Sequence, residues 1–87
     1  MTFQERLRRC VERGNLTVAD LARWFDRPYP TVRSWFKDGW EPGDGPATRL
    51  RMEDLLTRLE TITRQNGAEL RRLPMANRAE RLEQLAR

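Results

Sequence analysis

The sequence predicts an all-α fold, a compact domain of four to five helices. Three observations carry this prediction. Apolar residues recur at intervals of three and four along most of the chain. Helix-starting residues (Thr2, Thr17, Pro30) alternate with helix-ending ones (Gly14-Asn15, Asp26-Arg27-Pro28, Asp38-Gly39) through the N-terminal half. No stretch alternates apolar and polar residues as a half-buried strand would, and there is no internal repeat.

The first helix is expected over residues 2–13. Phe3, Leu7, Cys10 and Val11 make its apolar face, and Thr2 and Glu5 are spaced as a capping box. Gly14-Asn15 ends it, because both residues accept the left-handed conformation. A second helix starts at Leu16-Thr17. Thr17 is its N-cap, Asp20 favours the positive helix end, and Leu21, Ala22 and Phe25 turn inward. It stops at Asp26-Arg27-Pro28, since a proline pushes the residue before it out of the helical region.

Tyr29-Pro30 opens a third, short helix, with the proline in the first turn where its missing N–H is no loss. Val32, Trp35 and Phe36 are its apolar members, Arg33, Ser34 and Lys37 its polar ones, and Asp38-Gly39 closes it. Trp40-Glu41-Pro42-Gly43-Asp44-Gly45-Pro46 reads as a loop. From Ala47 a longer helix carries a stripe of Leu55, Leu59 and Ile62, supported by Met52 and Leu56, with an interruption expected at Asn66-Gly67. Leu70, Leu73 and Met75 straddle Pro74, which leaves open whether residues 63–76 form one helix or two. Residues 77–87 make a last amphipathic helix with Ala79, Leu82 and Leu85 or Ala86 inward. The expected division is a domain over 1–64 and a C-terminal helical extension over 65–87.

A chain of 87 residues suffices for one domain with a modest core. Its 38% hydrophobic and 34% charged residues suit a folded helical domain rather than a disordered tail. Seventeen basic against 13 acidic residues give a net charge of +4, which permits a polyanionic partner without demanding one. All the basic residues but Lys37 are arginines, whose forked donors suit phosphates and guanine edges.

The chain has no histidine and one cysteine, Cys10, which excludes an intrachain disulfide, a cysteine zinc centre and the usual general base. There is no nucleophile–base set, phosphate-cradling glycine loop or metal-ligand spacing. Glu53 and Asp54 are adjacent on a helix and point in different directions. No enzyme activity, cofactor or small-molecule substrate is expected. No apolar run reaches membrane-spanning length and no signal peptide is visible, so a cytoplasmic chain without a membrane partner is expected.

The informative stretch is Leu16 to Gly39, two short helices joined by a tight turn and supported by a preceding helix. Such an arrangement can present one helix to a DNA major groove. Leu16-Thr17, Leu21-Ala22, Phe25, Val32, Trp35 and Gly39, followed by Pro42, Pro46 and the leucine-rich run Leu50 to Leu59, resemble the phage repressor and Cro-like (Xre-type) helix-turn-helix family. The likeness covers residues 2–62. The chain departs from the family pattern at Asp26, where a glycine is usual, at Pro28-Tyr29-Pro30, where polar residues are usual, and in placing Gly39 one residue late.

The resemblance implies a lambda-repressor-like fold and sequence-specific binding of double-stranded DNA. It also implies transcriptional repression by a homodimer, with recognition helices about 34 Å apart on an inverted repeat. It makes Tyr29, Pro30, Thr31, Arg33, Ser34 and Lys37 the groove-facing positions, with Arg33 suited to a guanine edge and Lys37 to phosphate. Thr17, Arg23 and Arg27 fall where backbone contacts are made. The C-terminal extension is the candidate dimerisation element, through Leu73, Met75, Leu82 and Leu85.

Two other functions fit the same pattern. One is the DNA-recognition subunit of a small terminase-like packaging complex. The other is a protein-interaction module (an antitoxin or phage inhibitor) in which Trp24, Phe36 and Trp40 form an exposed apolar patch. Trp24 and Phe36 either extend the core or form an interface, and Trp40 is expected to act as a lid. Arg6, Arg8, Arg9 and Arg13 read as a solvated face. Arg71, Arg72, Arg78, Arg81 and Arg87 read as helix-surface charges paired with nearby Glu80 and Glu83. Cys10 reads as a small buried apolar residue.

Overall fold

The computed structural model describes residues 1–43 and 45–87. Among them lie five α-helices: α1 (Phe3–Gly14), α2 (Val18–Phe25), α3 (Tyr29–Ser34), α4 (Pro46–Arg72) and α5 (Arg78–Leu85). One 3-10 turn, Met75–Asn77, joins the last two, and no strand occurs among the described residues. The all-α expectation holds, and for α1 and α2 the local signals that predicted the helix ends are the groups that form them.

The Thr2 side chain accepts the Glu5 amide at 3.1 Å. Thr17 and Asp20 make a reciprocal capping box, each side chain taking the other's backbone N–H, at 3.2 and 2.9 Å. Asn15 (φ 51°) and Asp26 (φ 54°) close α1 and α2 in the left-handed conformation, which Asn and Asp tolerate best after glycine. Asp26 therefore makes this turn without a glycine.

The central pair is α1 lying along α4. Leu7 and Cys10 of α1 face Met52, Leu56, Leu59 and Ile62, and Leu21, Phe25, Val32 and Trp35 complete this part of the core. At Asn66 the backbone of α4 leaves helical geometry (φ −125°, ψ 15°), so the expected interruption is present as a kink between two helical segments. Gly67 then sits against the end of α1. A Cβ there would lie 2.7 Å from the Arg13 carbonyl oxygen, so only glycine permits this approach.

Residues 65–87 complete the same core. Leu70 and Leu82 are fully buried in it, and Leu73 and Leu85 pack half-buried against it. This corrects one expected interface residue: Leu82 is consumed by its own chain and has no surface to offer a partner. Among the four candidates, only Met75 is freely exposed.

Buried Arg78 ties this segment down. Its Nε donates to the Leu70 carbonyl (2.8 Å), its Nη1 to Asn15 (2.8 Å) and its Nη2 to Arg71 (3.2 Å). Arg71 in turn donates to the Arg13 carbonyl at 2.7 Å. These arginines satisfy carbonyls that helix ends leave open, rather than pairing with Glu80 or Glu83 as expected.

Arg6 also departs from expectation. It is not part of a solvated face but is clamped between Glu53 and Glu60 of α4, with Nη2 2.6 Å from Glu60 Oε1. These hydrogen bonds push the Arg6 pKa up and hold the Glu60 carboxyl below its usual range, against the opposing effect of partial burial.

Candidate nucleic-acid interface

The α2–α3 pair is joined by three residues, Asp26-Arg27-Pro28. Helix α3 is six residues long, too short to hold its conformation alone, so its position depends on what grips it from behind. Two side chains do this. Val32 is fully buried and Trp35 is 4% exposed. The Trp35 ring meets Phe25 edge-on at 5.2 Å and Phe3 at 6.1 Å, and stacks on Trp40 at 5.5 Å. Trp40 also touches Phe3 at 5.8 Å and so closes over the aromatic group as the expected lid.

The end of α3 is tighter than the sequence suggested. Regular helix stops at Ser34, and three-residue turns follow: Phe36 N to Arg33 O at 3.3 Å, Lys37 N to Ser34 O at 3.2 Å and Trp40 N to Lys37 O at 3.1 Å. Gly39 (φ 76°) reverses the chain there. Lys37 therefore lies beyond the helix, not on its last turn.

Helix α1 supplies side-chain donors to the carbonyls of these turns. Gln4 Nε2 donates to Trp35 O (2.8 Å) and Lys37 O (2.7 Å), and Arg8 Nη2 donates to Phe36 O (2.9 Å). The Arg8 guanidinium also lies 6.0 Å from the Phe36 ring centre. A cation near the negative end of a helix is favourable, and Arg8 here pins the turn that follows α3 and adds charge beside Lys37. Sequence reasoning missed Gln4 and Arg8, because their targets lie 28 to 33 residues away and no local pattern marks the contact.

The predicted residues divide into two groups. Tyr29, Pro30, Thr31 and Arg33 are exposed on α3, flanked by exposed Arg27 in the turn and exposed Lys37 after the helix. No described carboxylate lies within ion-pairing distance of Arg27, Arg33 or Lys37. The second group is occupied internally. Thr17 is half-buried and uses its hydroxyl in the capping box. The Ser34 hydroxyl donates to the Thr31 carbonyl. Arg23 is exposed but bound to Glu83 of α5, Nε to Oε1 at 2.7 Å and Nη2 to Oε2 at 2.9 Å.

Trp24 and Phe36 are half-buried core extensions. The Trp24 Nε1 donates to the Leu55 carbonyl at 3.0 Å. With Trp40 serving as the lid, these three do not form the exposed patch that a protein-interaction module would use.

Cys10 is fully buried. Burial pushes its thiol pKa up, so it is a packing residue and a poor nucleophile. Among the described residues, no three His, Cys, Asp or Glu side chains are grouped to hold a metal ion. No helix among them is long and apolar enough to cross a membrane. Comparisons of the chain with protein-family models, with curated proteins and with solved structures gave no match.

Proposed function

We propose that this protein binds double-stranded DNA, with α3 as the recognition helix of a helix-turn-helix and α2 lying across the backbone. The observation that carries this reading is the row Arg27, Arg33 and Lys37. These cations are exposed and have no described counter-ion: Arg33 is on a short helix whose opposite side is fixed by Val32 and Trp35, Arg27 in the turn before it and Lys37 just beyond its end. Elsewhere Arg6, Arg58 and Arg81 are neutralised by carboxylates, and Arg9, Arg49, Arg51, Arg64 and Arg72 are exposed without a described one. What distinguishes the row is therefore its place in and beside the α2–α3 pair. At about 1.5 Å per residue α3 is about 9 Å long, and a groove about 12 Å wide accepts its diameter.

In this reading Arg33 donates to a guanine edge and Thr31 to a neighbouring base or phosphate. Arg27 and Lys37 hold the strand on either side. The biological role we propose is repression: a homodimer occupies an inverted-repeat operator and excludes RNA polymerase. Because Leu82 is consumed in the core, the dimer contact must be made by other surface.

The test is a salt titration of binding to random duplex DNA. Removing one cation that neutralises a phosphate makes the slope of log affinity against log salt shallower by about 0.9. Arg33→Ala/Lys37→Ala is expected to bind more weakly than the wild type and with a shallower slope. An unchanged slope overturns the assignment of α3. Sedimentation of the complex then separates a repressor dimer from the closed ring of a packaging subunit.

A further inference from the structure

The Arg23–Glu83 pair differs from the other ion pairs in where it stands. Arg23 is on the outward side of α2, and Arg27 stands in the turn that follows this helix. The Arg23 fork is fully engaged, two nitrogens on two carboxylate oxygens at 2.7 and 2.9 Å. That is the arrangement by which a guanidinium also takes a phosphate.

The pair is open to water, with side chains 51% and 39% exposed, so it can exchange partners. Nor is it what holds α5 in place, because Leu82 in the core and Arg78 on three carbonyls already do that. Glu83 is thus carried to Arg23 by an independently anchored helix. The Arg23 guanidinium in turn keeps the Glu83 carboxyl below its usual range, so it stays ionised at neutral pH.

From this geometry we infer that Glu83 is an internal stand-in for a DNA phosphate: it occupies Arg23 in the free protein and gives it up when the duplex presents a phosphate at the same place. Arg23, on the helix that crosses the backbone in this reading, then joins Arg27, Arg33 and Lys37 in holding the duplex. In random complexes, where the phosphate is poorly placed, the carboxylate keeps Arg23 and lowers the affinity. The inference rests on the DNA-binding reading of α3 and adds that α5 tunes it.

The experiment compares Glu83→Gln with Glu80→Gln. Both remove one negative charge from α5, but Glu80 makes no hydrogen bond to Arg23. Binding to random duplex DNA is measured over a range of salt. Glu83→Gln is expected to bind about two- to five-fold more tightly than Glu80→Gln, the range an exposed ion pair can withhold. Its salt slope should be steeper by about 0.9, one further phosphate neutralised. Glu83→Ala must behave as Glu83→Gln does, and Arg23→Ala/Glu83→Gln must abolish the gain.

Equal affinities and slopes for Glu83→Gln and Glu80→Gln overturn the inference, as does a gain that survives removal of Arg23. If Arg33→Ala/Lys37→Ala still flattens the slope in that case, the α3 assignment stands and only the role of Glu83 falls. If no variant binds DNA at low salt, both fall.

Discussion

On the α1–α4–α5 side, three arginines are internal fittings: Arg6 is clamped by two carboxylates, Arg71 reaches the end of α1, and Arg78 is buried on three carbonyls, while Arg9, Arg49, Arg51, Arg64 and Arg72 stay exposed. On the α3 side, Arg27, Arg33 and Lys37 stand in water with no described counter-ion. A net charge of +4 says nothing about this division. What separates the two sides is the supply of acceptors. Helix α4 brings Glu53, Glu60 and Glu69 to its neighbours, and the ends of α1 and α4 offer open carbonyls. Helix α3 carries no acid, and the carbonyls of Trp35, Phe36 and Lys37 in the turns after it are already taken by Gln4 and Arg8. The first side commits part of its cations to its own acceptors, whereas Arg27, Arg33 and Lys37 are all left to be satisfied from outside.

The division between the two sides is probed most forcefully at the C-terminus. Leu82→Ala is expected to cost about 2–5 kcal/mol, because the variant leaves a hole in a core with little slack. Met75→Ala, exposed in the same segment, should stay within about 0.5 kcal/mol. Urea denaturation of the two variants measures both. Equal effects would mean that residues 65–87 are not part of the folded core.

A smaller effect is expected at the clamp. Arg6→Ala should cost about 1–2 kcal/mol at neutral pH, leaving two carboxylates without their shared donor. The clamp also has a pH signature. Glu60 titrates below its usual 4.5 in the folded chain, so the unfolded chain binds more protons over that interval. The stabilisation is complete above the ordinary carboxylate range and is lost as pH falls through the lower folded value. Thermal melts from pH 6 downward should show this acid loss in the wild type and a flatter acid limb in Arg6→Ala.

The smallest effect lies on the α2–α3 side, where Thr17→Ala should cost about 1 kcal/mol by removing the cap. If Thr17 acts only through the capping box, DNA affinity should change no more than this stability difference dictates. A larger loss would return Thr17 to the contact surface.

Much of the front face was legible because its determinants are local. Thr2, Asn15, Thr17, Asp20 and Asp26 each act within a few residues of themselves, and the spacing of Val32 and Trp35 marks the inward side of α3. The back face was not, because Arg6 and Arg78 find partners up to 63 residues away while acids closer in sequence offered a plausible local pairing. An apolar helix face looks the same whether its own chain or another covers it, and that is why Leu82 read equally well as an interface residue. The shortness of α3 was hidden for a similar reason. Phe36 continues the apolar pattern past Ser34 although the backbone has already tightened into turns.

Arg78 has a consequence for how the domain opens. Its guanidinium bridges the end of α1, the end of α4 and the start of α5, so unwinding the last helix would strand three carbonyls and expose Leu82 at once. Terminal helices usually fray on their own, but this one has no inexpensive partial opening. Amide exchange in α5 should then keep pace with that of Leu7 and Cys10 in α1, and the chain should lose its structure as a single cooperative unit.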